Sequence, residues 1–220
     1  MSIEDNIREV RMRIARACEK SYRSSQEVTL VAVTKGVPTA TIRDAFDFGV
    51  RDFGENRVQE AEDKILQLSD IRQNVTWHMV GHLQSNKARR ALDLFDIIHS
   101  IDSVRLADIL NVRAKRAVPV LLQVNVSGEA TKSGFAVGDV AKAVEEIKRL
   151  PNLEVVGLMT IAPLVAAPED ARPIFRRLRE LRDQLGLKHL SMGMSDDFEV
   201  AIEEGATIVR IGRAIFGERR

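Results

Sequence analysis

Residues 28–36 read VTLVAVTKG, a short β-branched apolar run that ends abruptly in Thr34, Lys35 and Gly36. A strand buried on both faces is apolar at nearly every position instead of alternating, and such strands belong to parallel sheets covered by helices. Seven more short apolar pieces follow, around residues 52–54 (DFG), 75–81 (VTWHMVG), 96–101 (DIIHSI), 119–126 (PVLLQVNV), 153–160 (LEVVGLMT), 187–193 (LKHLSMG) and 207–212 (TIVRIG). Between most of them apolar residues recur at three- and four-residue steps: Val58, Ala61, Ile65 and Leu68; Val137, Val140, Val144 and Ile147; Ile174, Leu178, Leu181 and Leu185. That is helical spacing. Strands separated by helices pair in parallel through right-handed crossovers, and eight such units predict an α/β fold, a closed (β/α)8 TIM-type barrel. The rival is an open doubly wound sheet, but no G-x-G-x-x-G follows the first strand. Upstream, Ile3, Ile7, Val10, Ile14 and Ala17 share one stripe, which predicts an extra N-terminal helix. Residues 162–173, APLVAAPEDARP, carry three of the six prolines and predict a rim loop entering a helix near Pro173.

The bulk properties narrow the function. With 220 residues, 45% of them hydrophobic and 30% charged, the chain is expected to form one domain over residues 1–220 with ample core. Thirty-three Lys and Arg against 32 Asp and Glu leave a charge of +1, too balanced for the basic footprint of a general nucleic-acid binder or an anionic-membrane binder. Cys18 is the only cysteine, so a reducing, cytoplasmic location is expected, and no run approaches membrane-spanning length.

In a barrel of this kind the working groups sit where strands end. The first strand delivers Lys35, and an amine partly desolvated there favours the neutral form that attacks a carbonyl. The last two strands run into Ser191-Met-Gly193-Met-Ser195-Asp196-Asp197 and Arg210-Ile-Gly212-Arg213, with residues 214–216 as a short extra helix. Barrel enzymes commonly hold phosphate between these two loops. Ser191 offers a hydroxyl and Gly212 a close backbone approach, whereas Ser195 reads as the cap of a helix opened by Asp196 and Asp197. A carbonyl-seeking lysine beside a phosphate cradle describes a phosphorylated aldehyde, with pyridoxal 5′-phosphate (PLP) the leading candidate.

Seven motifs then carry a resemblance. VAVTKG, FGENRVQE (53–60), WHMVGHLQSNK (77–87), QVNVSGEATKSGF (123–135), GLMT (157–160), SMGMSDDFEVAIEEGAT (191–207) and VRIGRAIFG (209–217) resemble the pyridoxal-phosphate homeostasis protein family from about residue 28 to 217. That family is related in fold to the N-terminal barrel of alanine racemase, the type III fold of PLP proteins. The resemblance implies that Lys35 carries PLP as a Schiff base, that Ser191 and the Gly212 and Arg213 amides hold its phosphate, that Arg210 faces the pyridine nitrogen, and that Asn56 lies beside the ring. Arg213 stands where most relatives have threonine, so one hydroxyl donor to the phosphate is missing. The implied role is PLP buffering and delivery to apo-enzymes, with no catalytic residue and no metal. A guanidinium facing the pyridine nitrogen opposes its protonation and makes the ring a weaker electron sink, which fits a carrier better than a catalyst.

Two alternatives stay open. A PLP-dependent racemase needs a second base, which alanine racemase takes from a tyrosine of its partner subunit; Tyr22, the only tyrosine here, is expected at the end of the first helix, away from the strand ends. A phosphosugar enzyme would need a carboxylate base, for which Glu55 is the strand-end candidate. His78 and His82 have H-x3-H spacing but no evident third ligand, so they are expected to hydrogen-bond in the barrel mouth, as are His99 and His189 in the core or rim. The basic runs Lys87, Arg89, Arg90 and Arg172, Arg176, Arg177, Arg179, Arg182 read as solvated helix faces, and Lys132 as a loop lysine. No apolar stripe is left over once the barrel is built, which favours a monomer.

Overall fold

The computed structural model describes residues 2–129 and 131–218. Its strands are β1 (Thr29–Val33), β2 (Asp52–Glu55), β3 (Thr76–Met79), β4 (Ile97–Ile101), β5 (Val118–Asn125), β6 (Phe135–Ala136), β7 (Leu153–Met159), β8 (His189–Ser191) and β9 (Ile208–Ile211). All except β6 form the barrel: neighbours pair in parallel around the ring, β4 joins β5, and β1 joins β9 to close it. Each of the eight anticipated pieces supplies one barrel strand. The unanticipated β6 pairs with the end of β5, Val124 opposite Phe135, because Gly134 (φ 123°) lets the returning chain press against the backbone of Gln123 and Asn125. Gln123 Nε2 and Asn125 Nδ2 donate to carbonyls of Ser133 and Glu129 at 3.0 and 2.8 Å, pinning the intervening loop.

The helices are α1 (Ile3–Lys20), α2 (Thr39–Asp47), α3 (Val58–Gln67), α4 (Ala88–Leu94), α5 (Val104–Arg113), α6 (Val140–Lys148), α7 (Arg172–Gln184), α8 (Phe198–Glu203) and α9 (Arg213–Phe216). The extra helix α1 opens with a reciprocal cap, Ser2 Oγ accepting from Asp5 N and Asp5 Oδ2 from Ser2 N, both at 3.1 Å. Such a cap contributes about 1 kcal/mol. The buried stripe of α1, Ile7, Val10, Ile14 and Ala17, then docks on α8, α9 and α2. Residues 162–167 form the expected loop, which passes through a 3-10 turn (Pro168–Ala171) into α7 with Pro173 in its first turn. On α7 Phe175 and Leu178 are fully buried, while Ile174, and Leu185 just past the helix end, are only partly covered.

Three of the five arginines expected on a solvated face of α7 are drawn to a buried carboxylate, while Arg177 stays exposed. Arg172, Arg176 and Arg179 converge on Glu204, which is almost fully buried, at 3.0–3.2 Å. A buried carboxylate requires such partners, and here they bind the long helix to the end of α8.

Side-chain alternation divides the barrel into two layers. Ala32, Phe53, Trp77, Ile98 and Val209 face outward into the main core beneath the helices, with Phe53 and Trp77 rings 5.5 Å apart. Val31, Leu121, Met159 and Ile208 face inward as a separate apolar cluster in the lumen. The same parity turns His78, Ser191 and Arg210 inward, where hydrogen bonds join them through His99, which is how neighbouring strands bring residues distant in sequence to one place.

Candidate functional site

The mouth of the barrel lies at the carboxyl ends of the strands. Lys35 follows β1 in a turn completed by Gly36, whose φ of 71° suits glycine. That turn is held from behind on both sides. Lys64 of α3 donates to the Thr34 carbonyl at 2.5 Å, and Glu60 accepts from the Gly36 amide at 2.5 Å. Lys64 also bonds Glu55 and Glu60, each at 2.7 Å, and Thr34 Oγ1 donates to Glu55 at 2.6 Å. Burial pushes the Glu55 carboxyl up, against the pull of Lys64 and Thr34. For Glu60 burial acts in the same sense but is outweighed by Lys64 and the Gly36 amide, which hold it below the usual range. Glu55 therefore faces outward, behind the β1 turn, and is absent from the mouth where the phosphosugar alternative needs it.

A cavity of about 670 Å³ opens in front of Lys35, lined also by Asn56, Glu60, Met79, Gly81 and His82. A Cβ at Gly81 would lie 2.3 Å from the Asn56 carbonyl oxygen, so the β3 end presses directly on the backbone of Asn56. Asn56 Oδ1 is buried and has no hydrogen-bond partner among the described residues. His82 sits on the rim with Nδ1 3.0 Å from Asp102.

Arg210 lies inside the lumen and is almost completely buried. Its Nη1 donates to Ser191 Oγ at 2.6 Å and its Nη2 to the Thr160 carbonyl at 2.8 Å. Burial pushes its pKa down to about 10, with Asp197 opposing, so it stays charged near neutrality. The Ser191 hydroxyl also meets His99 Nδ1 at 2.8 Å, His99 Nε2 meets His78 Nδ1 at 2.9 Å, and His78 Nε2 meets Asp52 at 3.0 Å. Both ring nitrogens of His78 are thus taken by protein groups, and among the described residues no three His, Cys, Asp or Glu are grouped as metal ligands.

Ser195 does not occupy the position expected of it. Ser191 is committed to Arg210 and His99 within the lumen, while Ser195 Oγ accepts from the Ala214 amide of α9 at 3.2 Å. Ser195 does not cap α8; Asp197 stands at that position and accepts from Met194 N at 2.6 Å. Gly193 (φ 93°) makes the loop possible, since a Cβ there would meet Ala201 Cβ at 2.6 Å. Arg213 forms an ion pair with Asp196 across the same two loops. Register puts this region beside Lys35: β1 and β9 are hydrogen-bonded neighbours with Ala32 opposite Ile211, and Gly36, Gly212 and Arg213 line one hollow of about 290 Å³.

Sequence reading missed Lys64, Glu60 and the His78–His99 pair. Lys64 falls on the buried stripe of α3 between Ala61 and Leu68, and a lysine inside an apolar stripe was a visible signal. The histidine pair was visible only through strand parity, once β3 and β4 are known to be adjacent.

Comparison with known proteins agrees with this fold. The family described as alanine racemase, N-terminal domain, matches residues 2–220, which defines the class of barrel. A pyridoxal phosphate homeostasis protein of Aquifex aeolicus is 45% identical over the whole of both chains, and one of Pseudomonas aeruginosa is 47% identical over 99% of this chain and 96% of its own. The chain belongs to the pyridoxal phosphate homeostasis protein family. PipY of Synechococcus elongatus PCC7942 superposes with TM-scores of 0.87 without PLP and 0.85 with PLP bound, at 38% and 37% identity, in each case over 98% of this chain and all of that one. Alanine racemase of Corynebacterium glutamicum, at 19% identity and a TM-score of 0.71, shares the fold over 98% of this chain and 62% of its own.

Proposed function

We propose that this chain binds PLP through Lys35, as a monomeric single-domain carrier in the cytoplasm that buffers the cofactor and delivers it to apo-enzymes without turnover of its own. The observation that carries the reading is the unpartnered Asn56 Oδ1, buried in the wall of the cavity that Lys35 enters. A buried polar atom left without a protein partner is the mark of a site completed by a ligand. When bound, PLP supplies an aldehyde that condenses with the Lys35 amine, forming a Schiff base and releasing water.

The remaining work falls to the chain. Lys64 and Glu60 hold the turn that presents Lys35, and Asn56 lies against the ring. Arg210 brings a fixed positive charge to the pyridine side, which disfavours its protonation and weakens carbanion chemistry. The Gly212 and Arg213 amides and a serine hydroxyl take the phosphate. Geometry favours Ser195 for that hydroxyl, because the Ser191 hydroxyl is already held by Arg210 and His99. The PLP-bound PipY structure and the names of the relatives support this reading.

The racemase alternative lacks support from Tyr22. It is fully exposed at the end of α1, followed by Arg23, which donates to the Ile202 and Ala206 carbonyls near the amino-terminal end of β9. That is the face of the barrel opposite the mouth. The test is transfer of PLP to an apo-enzyme, native protein against Lys35→Ala, with alanine racemisation followed in parallel. Lys35-dependent transfer without racemisation is expected; robust Lys35-dependent racemisation overturns the carrier role.

A further inference from the structure

We propose that Asp52, His78 and His99 are positioning residues for Arg210, joined to it by a one-way chain of hydrogen bonds through the barrel lumen. The chain starts at the amino-terminal end of β2, where Asp52 is partly open to solvent, and ends at the guanidinium below the mouth. Its bearing on the cofactor rests on the function proposed above; its existence does not.

The direction follows from the two ends. Arginine only donates and a carboxylate only accepts. Arg210 Nη1 donates to Ser191 Oγ at 2.6 Å, which leaves the hydroxyl proton of Ser191 for His99 Nδ1 at 2.8 Å. At the far end Asp52 accepts from His78 Nε2 at 3.0 Å, so Nδ1 of a neutral His78 must be an acceptor, and His99 Nε2 supplies its proton across 2.9 Å. The two deductions meet without conflict. Both rings are neutral with the proton on Nε2, and all four bonds donate from Arg210 towards Asp52.

The opposite arrangement needs an extra proton. If His99 Nδ1 donated to Ser191, its Nε2 would become an acceptor, and His78 would have to donate from both nitrogens as an imidazolium. Both rings are almost wholly inaccessible, so the extra proton would have to be held in the same closed lumen as the Arg210 guanidinium. Burial, with the charge of Arg210, pushes His99 far below the ordinary histidine value. Linked donors polarise one another in a poorly solvated interior, so the carboxylate reinforces the acceptor strength of a serine it does not touch. That serine, with the Thr160 carbonyl, fixes the two arms of the guanidinium.

The experiment is long-range nitrogen–proton NMR of the histidine rings in the full, cofactor-free chain, so that failure to bind PLP leaves it unaffected. In the wild type both His78 and His99 are expected as neutral rings protonated on Nε2. In Asp52→Ala, whose altered residue contacts His78 and not His99, the His99 ring nitrogens are expected to shift as its tautomers redistribute. Ser191→Ala cuts the chain on the other side and is expected to move His99 Nδ1 towards its unbonded value. A wild-type His99 protonated on Nδ1 overturns the chain without any variant. So does a His99 spectrum left unchanged by Asp52→Ala.

Discussion

Lys64 Nζ lies 2.5 Å from the carbonyl oxygen of Thr34, the residue immediately before Lys35. A buried ammonium on a neighbouring helix thereby fixes the backbone of the residue that bears the reactive amine, and Glu60 fixes the next amide along. The cluster of Lys64, Glu55 and Glu60 separates two properties that are usually confounded, folding stability and the aim of a side chain.

Lys64→Met leaves Glu55 buried without its cation, and loss of one partner of a buried pair costs about 3–5 kcal/mol. Urea unfolding measures it. Adding Glu55→Leu recovers most of that loss, since an apolar pair has no charge to desolvate, yet PLP affinity stays low because the Thr34 carbonyl is no longer held. Recovery of affinity together with stability would show that the cluster does not aim Lys35.

Gly81→Ala places a methyl group 2.3 Å from the Asn56 carbonyl oxygen, and backbone on both sides has little room to yield. Overpacking of this kind costs about 1–3 kcal/mol. Calorimetry should show a lowered Tm, and PLP titration a weaker complex, because the displaced residue lines the cavity in front of Lys35.

Ser195→Ala removes a hydroxyl that accepts from the Ala214 amide and has its own proton free for phosphate. A hydrogen bond to a charged group contributes about 1.5–3 kcal/mol, so preference for PLP over pyridoxal should fall at least roughly tenfold. Ser191→Ala should leave that preference nearly intact. Equilibrium titration with both aldehydes distinguishes the two serines, and the reverse ranking would return the phosphate to Ser191.

Acid should destabilise the fold through His99 before most carboxylates titrate. Its folded pKa lies well below the 6.5 of an exposed histidine, so below pH 6.5 the unfolded chain takes up a proton that the native chain refuses. Stability from this group is present above pH 6.5 and is lost as pH falls towards the folded value, at up to about 1.4 kcal/mol per pH unit. Glu55, with its raised value, contributes in the opposite sense: its share is present below pH 4.5 and fades as pH rises through its folded value. Urea midpoints between pH 7 and 5 should therefore fall in the wild type and change less in His99→Gln.

The barrel was legible because its signal is local. Apolar runs such as VTLVAV alternate with helical stripes, and each run became one strand. The position of Lys35 was equally legible, since a residue just past a strand end is placed by that strand alone, whereas Asn56 came only through the family resemblance. Which of two serines four residues apart faces α9 was not legible, because it depends on the turn at Gly193 and on the contact of Arg210 with the first. Three arginines of α7 were misread for a non-local reason, because Glu204, which gathers them, stands at the end of another helix. The two-residue β6 owes its existence to one glycine fitting against another strand, which no periodicity reports.

The most direct measurement is borohydride reduction of the PLP-loaded protein followed by peptide mass mapping. A single pyridoxyl adduct on Lys35, absent from Lys35→Ala, is the predicted result. Loading that leaves Lys35 unmodified, or places the adduct on another lysine, contradicts the proposed site.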